Sequence, residues 1–402
     1  MSLVEKWQTG QMLSGISKNS KKMIYRSLIL LVLPLLFGCG QKDRFLLADV
    51  DEILLSETTE HYIAEVPKFL HDLGNGEFAL LNELDDIFVF SFTDGKLKRL
   101  VNPEFDFDRF LREEVNTDPE VVPYDIEEDF MGYFKTQPLQ NILGFTNNID
   151  FLVSFNRIMN PLILGNTIQL GYSSVLLKSD IAGNILSYKR IFPYSIPKSM
   201  ALVPYNGFYY NSDSNIFYSN AICEKRYEIM VSAFGETDSG YVNIWNKGFP
   251  FPVELATSRY FFDVTKPNNY YTLAGFRKQG DKLYFLNGKD IYDFYSGNMV
   301  ISANEFSMED SIHYIESFVV LPKKNQTVAY FAYIEYVLPE PDAYEKSKSF
   351  LVVRRADDGS RVLRMPLSNN VSGLMYMDNH LAFIEMIKEN FILKKYKVTY
   401  KL

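Results

Sequence analysis

Residues 87–101 read Ile-Phe-Val-Phe-Ser-Phe-Thr-Asp-Gly-Lys-Leu-Lys-Arg-Leu-Val. Two short runs of β-branched and aromatic residues, 87–92 and 97–101, flank Asp94-Gly95. A tight hairpin turn needs positive φ, which Gly accepts without strain and Asp or Asn tolerates, so the stretch predicts two antiparallel strands and the turn between them. The pattern returns twice: 283–286 and 291–295 flank Asn287-Gly288, and 350–354 and 362–365 flank Asp358-Gly359. Looser versions pair 175–177 with 185–189 around Asp180 and Gly183, 208–210 with 216–218 around Asp213, and 381–385 with 391–396.

From Phe78 to Tyr400 such runs recur and helical periodicity is rare, which predicts an all-β chain of many short antiparallel strands. The unit resembles a worn repeat: an apolar strand, a link with Asp and Gly, then a strand carrying basic residues. Gly95, Gly183 and Gly359 occupy similar places, 88 and 176 residues apart. Both are multiples of 44, within the roughly 40 to 50 residues of a propeller blade. Radial repetition also leaves only short protected sheet edges. Phe, Tyr and Trp make up 15% of the chain, which suits apolar faces packed blade on blade. The expectation is a β-propeller of six or seven blades over residues 39–402. Two β-sandwich domains are the alternative, with breaks at 250–252 and 339–341 as linkers.

One segment departs from this pattern. Eleven acids and two arginines fall between Glu104 and Asp129. Asn102-Pro103-Glu104 reads as an N-cap, a first-turn proline and an acid favoured by the helix dipole. A short helix through Phe107, Phe110 and Leu111 is expected, within an acidic, partly helical insertion over 102–135.

The N-terminus carries a secretory signal: Lys21, Lys22 and Arg26, then an apolar core over 28–37. At roughly ten residues that core is too short to span a bilayer, which takes about 20. Leu36-Phe37-Gly38-Cys39 supplies the small residue before the cut and the cysteine that receives lipid, with Phe37 bulkier than usual at its place. The expectation is a signal peptide over 23–38, cleaved after Gly38 and read through Leu36, with lipid on Cys39. Residues 1–22 precede Met23 and read as an upstream extension or a start codon placed too early. Removing residues 1–38 takes away five cations and one acid, so the formal charge moves from -9 to about -13. Such a surface suits neither nucleic acid nor anionic lipid, which leaves the acyl chains as the membrane link. Only Cys39 and Cys223 exist, so with Cys39 lipidated no disulfide is available and the fold depends on its core.

No signature of catalysis is present: no GxSxG, HExxH, P-loop or EF-hand spacing, and Gly74-Asn75-Gly76 reads as a turn. No catalytic residue is assigned. His61, His71, His313 and His380 are scattered without metal-ligand spacing and read as core or surface residues. Asp85-Asp86 would point to opposite faces of a strand, so they do not form a glycosidase pair. In the acidic segment Asp106, Asp108, Asp125, Glu127, Glu128 and Asp129 offer hard oxygen ligands for calcium, or a docking stretch for a cationic partner. The plainer reading is a solvated face. Trp245 is the single tryptophan after the signal, so sugar stacking would rest on tyrosine clusters such as Phe208-Tyr209-Tyr210 and Tyr270-Tyr271, which read more readily as blade packing.

The lipobox at Cys39, the Gly-Gln-Lys-Asp-Arg that follows it and the degenerate Asp/Gly hairpins together resemble a family of Bacteroidota lipoproteins of unknown function with a six-bladed propeller. The resemblance covers most of residues 39–402 and implies an envelope location and a propeller, with no activity or catalytic residue to transfer. Some lipoproteins of that group reach the cell surface through acids after the cysteine. Gln41-Lys42-Asp43 carries one, so the outer membrane facing the periplasm is expected. The functional expectation is a non-enzymatic binding or scaffold protein for a protein or glycan partner. The alternatives are a hydrolase or lyase acting on a glycan at the mouth of the central channel, and a sensor that releases a partner.

Overall fold

The computed structural model describes residues 44–55, 69–81, 87–101, 139–146, 150–164, 167–179, 185–191, 202–211, 216–223, 228–238, 240–250, 275–303, 311–322, 328–339, 347–368, 370–387 and 390–401. Its elements are all β-strands. Residues 49–397 form one compact unit, and the two chain ends, with the tips of the first and last strands, form another.

The strands run in fours. The first is β1 (Arg44–Leu54), followed by the sheet β2 (Phe69–Gly74), β3 (Glu77–Leu81), β4 (Ile87–Ser91) and β5 (Leu97–Val101). Next come β6 (Leu139–Thr146), β7 (Asp150–Leu164), β8 (Thr167–Ser179) and β9 (Ile185–Ile191), then β10 (Leu202–Asn211), β11 (Ile216–Cys223), β12 (Glu228–Thr237) and β13 (Gly240–Pro250). These two meanders are joined into one eight-stranded sheet by a parallel contact at Tyr241 and Ile191. The sheet β14 (Gly275–Gln279), β15 (Lys282–Leu286), β16 (Asp290–Asp293), β17 (Met299–Ser302) follows. Then comes the sheet β18 (Ile312–Pro322), β19 (Val328–Leu338), β20 (Lys348–Arg355), β21 (Arg361–Leu367). The last sheet contains β22 (Val371–Met377), β23 (His380–Ile387) and β24 (Asn390–Lys401), and it is completed by β1 from the other end of the chain.

Apart from the entry of β1 into the last sheet and the β13–β9 bridge, each sheet is built of meanders of consecutive strands, which Greek-key sandwiches do not give. The first strand of one meander lies beside the first strand of the next: β6 by β10, β10 by β14, β14 by β18, β18 by β22, and β22 by β2. Closure is fastened locally. The Leu55 N–H donates to the Phe391 carbonyl at 2.8 Å, and the Lys394 ammonium meets Glu52 at 3.1 Å. The fold is thus all-β and propeller-like, with four separate four-stranded blades.

The aromatic residues do what their abundance suggests. Phe78, Phe88 and Phe90 share a core with Met375, Met377, Ile384 and Leu393 of the closing sheet. Tyr284, Leu286 and Ile291 share another with Phe318, Phe331 and Tyr333. Phe249 lies 4.6 Å from Phe285 across the next seam. Blade packing is therefore the main store of buried apolar area.

The turns refine the repeat. Gly95 and Gly359 hold φ of +67° and +69°, as a left-handed turn position demands. They close the third-to-fourth strand links of their blades, with the Gly95 N–H donating to the Ser91 carbonyl at 2.9 Å. The same link between β16 and β17 uses Gly297, whose N–H donates to the Asp293 carbonyl at 2.8 Å. Gly297 precedes Gly359 by 62 residues, so the 44-residue spacing is not a constant period. Gly183 lies outside the described residues, in the link between β8 and β9, so the 88 residues from Gly95 separate neighbouring meanders. The looser hairpins also form, with Leu177 opposite Tyr188, Tyr209 opposite Tyr218 and Leu381 opposite Tyr396.

Candidate functional site

Inner strands carry the polar groups of interest, and β18 carries the central one. Ile315 pairs with Glu335 and Ser317 with Ile334, which leaves Glu316 unpaired in a β-bulge. A bulge re-aims a side chain away from the regular alternation. The Glu316 carboxyl accepts the Gly373 backbone N–H, and burial, opposed by that bond, pushes it up to about 8. Its Oε2 is buried and finds no hydrogen-bond partner among the described residues.

Gly373 belongs to a second irregularity, where the β22 register breaks between Ser372 and Met375. Its φ is +62°, and a Cβ there would stand 2.9 Å from Leu70 Cγ. Only glycine satisfies both conditions without strain. β18, β22 and β2 therefore meet at one level.

The residue after Leu70 is His71. Burial, reinforced by the charge of Arg277, lowers its imidazole to about 3, so it is neutral across the physiological range. Arg277 lies on β14, and burial lowers its guanidinium to about 10. Its Nη1 donates to the Phe276 carbonyl at 2.8 Å, and its guanidinium sits 5.7 Å from the Phe318 ring on β18. β14 and β2 stand three places apart in the row of first strands, yet Arg277 is felt at His71. Glu316, His71 and Arg277 thus lie on three members of the row of first strands, β18, β2 and β14.

A second polar group in the same blade is closed. Ser311 Oγ and His313 Nε2 are 3.0 Å apart, and His313 Nδ1 and Glu335 Oε1 are also 3.0 Å apart. Arg364 Nε donates to Glu335 Oε2 at 3.1 Å, and its guanidinium lies 3.5 Å from the Phe350 ring. Burial alone would raise the Glu335 carboxyl, but the His313 and Arg364 bonds outweigh it and hold the group below its ordinary value. Hydroxyl, imidazole and carboxylate stand in the order of a nucleophile relay. The second carboxylate oxygen, however, is committed to Arg364, which draws off the charge that would stabilise an imidazolium. The arrangement braces β18, β19 and β21 across the sheet.

The other residues singled out from sequence fall as follows. Leu36, Gly38, Cys39, His61, Asp85, Asp86, Asp106, Asp108, Asp125, Glu127, Glu128, Asp129, Tyr270 and Tyr271 lie outside the described residues, as does the helix expected after Asn102. No group of three side chains able to hold a metal occurs among the described residues. No described helix is long and apolar enough to cross a membrane. The Trp245 ring packs 5.7 Å from Phe294 in a seam between blades. His380 opens β23 directly after the β22–β23 turn, its Nδ1 2.7 Å from the Asp378 carbonyl oxygen.

Glu316 and Arg277 were not legible as site residues. A bulge is a register fact, and the meeting of four strands far apart in sequence leaves no local spacing to read. The one available signal is a carboxylate between Tyr314-Ile315 and the apolar run 318–321, where a buried strand should carry none.

No family model matches the chain, and no curated protein matches it. Among solved structures it is similar to a member of the DUF4221 family from Bacteroides vulgatus, with a TM-score of 0.45 and 10% identity over 90% of this chain and 100% of that one. It is also similar to the β-propeller domain of Myceliophteria thermophila Cps50 (Swd1), with a TM-score of 0.36 and 9% identity over 86% and 99% of the two chains.

Proposed function

We propose that this protein is a six-bladed propeller held at the bacterial envelope by lipid on Cys39, and that it binds a protein or glycan partner without transforming it. The strand count supports six blades: the meanders β6–β9 and β10–β13 share a single bridge, so the eight-stranded sheet divides into two blades. The N-terminal signal and the Leu36-to-Cys39 lipobox support the anchor and an outer-membrane, periplasm-facing location. The acidic stretch with Asp106, Asp108, Asp125, Glu127, Glu128 and Asp129 belongs to the proposed partner-facing surface, with calcium as a ligand it would suit.

The observation that carries the binding reading is the contrast inside one blade. The hydroxyl–imidazole–carboxylate set is braced by Arg364, whereas Glu316 and its neighbour Ser317, whose Oε2 and Oγ are buried without a hydrogen-bond partner among the described residues, lie on the inner strand β18. Catalysis on glycans by paired carboxyls would need a second carboxyl beside the first. Among the described residues of β14, β18 and β22, Glu316 is the single carboxyl.

The test is in-cell cross-linking followed by purification, alongside radioactive palmitate labelling. The expected outcome is a co-purifying protein or glycan, and labelling that Cys39→Ser abolishes with release of the protein into the soluble fraction. Unchanged labelling in Cys39→Ser would overturn the anchor. Turnover of glycosides or esters by the purified protein, with nothing captured, would overturn the binding role.

A further inference from the structure

We propose that the protein meets its bilayer with the edge of the sheets that carries the first-to-second strand turns, and that the edge from which the acidic link departs faces away from the lipid, towards the partner. The inference rests on the lipid anchor proposed above and adds to it the surface that lies against the membrane.

The direction of β1 sets the side of the anchor. Glu52 meets Lys394, Asp51 meets Lys395, and the Leu55 N–H donates to the Phe391 carbonyl, so β1 runs antiparallel to β24. The same register sets Asp49 level with Lys397, which pairs with His380, which in turn pairs with Met377. β1 therefore enters at the edge of the closing sheet that carries the β22–β23 turn. It is one strand from Arg44 onward, so the five residues before Asp49 hold an extended path of roughly 16 Å. Cys39 stands five residues before Arg44, a reach of at most about 18 Å. The opposite edge lies a further β22 length past Asp49, roughly 23 Å for seven residues. A lipid on Cys39 cannot reach that edge while β1 is formed.

The neighbouring blade sets the side of the acidic link. The Phe92 N–H donates to the Gly76 carbonyl at 2.8 Å, and the Phe92 ring lies 6.0 Å from that of His380. At the other end of these strands, a Cβ on Gly373 would stand 2.9 Å from Leu70 Cγ. β2 and β22 thus run the same way, and the turns that follow them share an edge. Val101, the last residue of β5, pairs with Ile87, Ile87 with Leu81, and Leu81 with Phe69, so β5 ends level with the start of β2. The link that follows carries eleven acids against two arginines between Glu104 and Asp129, and it leaves from the edge opposite the anchor. Anionic head groups repel such a stretch. Charge and tether therefore favour the same orientation, although they belong to different blades.

β21 offers the test, because exposed serines flank it on the two edges. Tyr336, level with Tyr314, donates to the Val371 carbonyl at 2.6 Å, and Glu316 accepts from Gly373, so β18 and β22 also run the same way. Ser368 follows Leu367, which pairs through Ser349 and Tyr336 to Tyr314 near the start of β18, and Ser360 lies in the turn at the other end of β21. The purified lipidated protein carries Cys223→Ser with either Ser360→Cys or Ser368→Cys, and a fluorophore on the new thiol. It is bound to phosphatidylcholine vesicles containing lipid with a nitroxide head group. The label at position 360 should lose most of its fluorescence and the label at 368 little, because contact quenching does not span a seven-residue strand of roughly 23 Å. Equal quenching, or stronger quenching at 368, in protein that floats with the vesicles would overturn the orientation and leave the anchor standing. Protein that does not float with them, or floats equally well as Cys39→Ser, would overturn the anchor and the orientation with it.

Discussion

Glu335 and Glu316 are buried carboxyls on adjacent strands of one blade, one residue apart in the pairing register, and their surroundings drive them in opposite directions. Glu335 receives His313 on one oxygen and Arg364 on the other, so it is held ionised and stitches three strands together. Glu316 receives one backbone N–H, so burial dominates and favours the neutral acid. The two cases show what sets the charge of a buried carboxyl: with both oxygens engaged by side-chain donors it stays ionised and braces the fold, and with a single backbone donor it is driven towards the neutral acid.

Breaking the first member of the comparison should have the largest effect. Glu335→Ala strands His313 and Arg364 beside a buried gap, and a loss of about 3 to 5 kcal/mol is expected in chemical denaturation, as for removal of one partner from a buried ion pair. A loss below about 1 kcal/mol would show that the brace is dispensable. Gly373→Ala comes next, because its φ of +62° and the nearby Leu70 both oppose a side chain. About 1 to 3 kcal/mol is expected, with the Glu316 titration moved as its N–H partner shifts.

The pH dependence sharpens the contrast. Glu316 is raised in the folded state from 4.5 to about 8, so the folded protein holds a proton that the unfolded chain releases. Stability should therefore be greatest, for this group, below about pH 4.5 and decline as the pH rises towards 8, levelling beyond it. Glu335 is depressed, so its contribution is present above pH 4.5 and is lost as the pH falls below that value. Denaturation curves of Glu316→Gln between pH 5 and 8 should be flatter than those of the wild type. Identical slopes would contradict the assignment. The smallest effect is expected at the exposed Arg355–Asp357 pair, where the 2.7 Å bond joins side chains in solvent. Arg355→Ala should change stability by less than about 1 kcal/mol.

How much of this was legible varies with the range over which each feature is determined. The hairpin over 87–101 is specified locally, by alternation and by Asp94-Gly95, and forms as its residues dictate. The turn at Gly297 escaped the same reading because Ser296 stands where Asp94 and Asp358 precede their glycines, although the backbone bonds are alike. The β22–β23 turn escaped for a related reason, since Asp378 and Asn379, with φ of 49° and 61°, supply its positive φ without any glycine. Closure by β1 could not be read, because Asp51 and Glu52 find Lys395 and Lys394 at the far end of the chain. His313 reads as a core histidine and is one, with partners on both nitrogens. Glu316 meets Gly373, and His71 comes within electrostatic reach of Arg277, only after β2, β14, β18 and β22 have been brought together.

The protonation of Glu316 is the claim on which the comparison stands, and the infrared difference spectrum between wild type and Glu316→Gln measures it directly. The account predicts a carboxylic-acid carbonyl band at pH 7 that titrates away with a midpoint near 8. A band already absent at pH 7, with a midpoint near the ordinary 4.5, would contradict it.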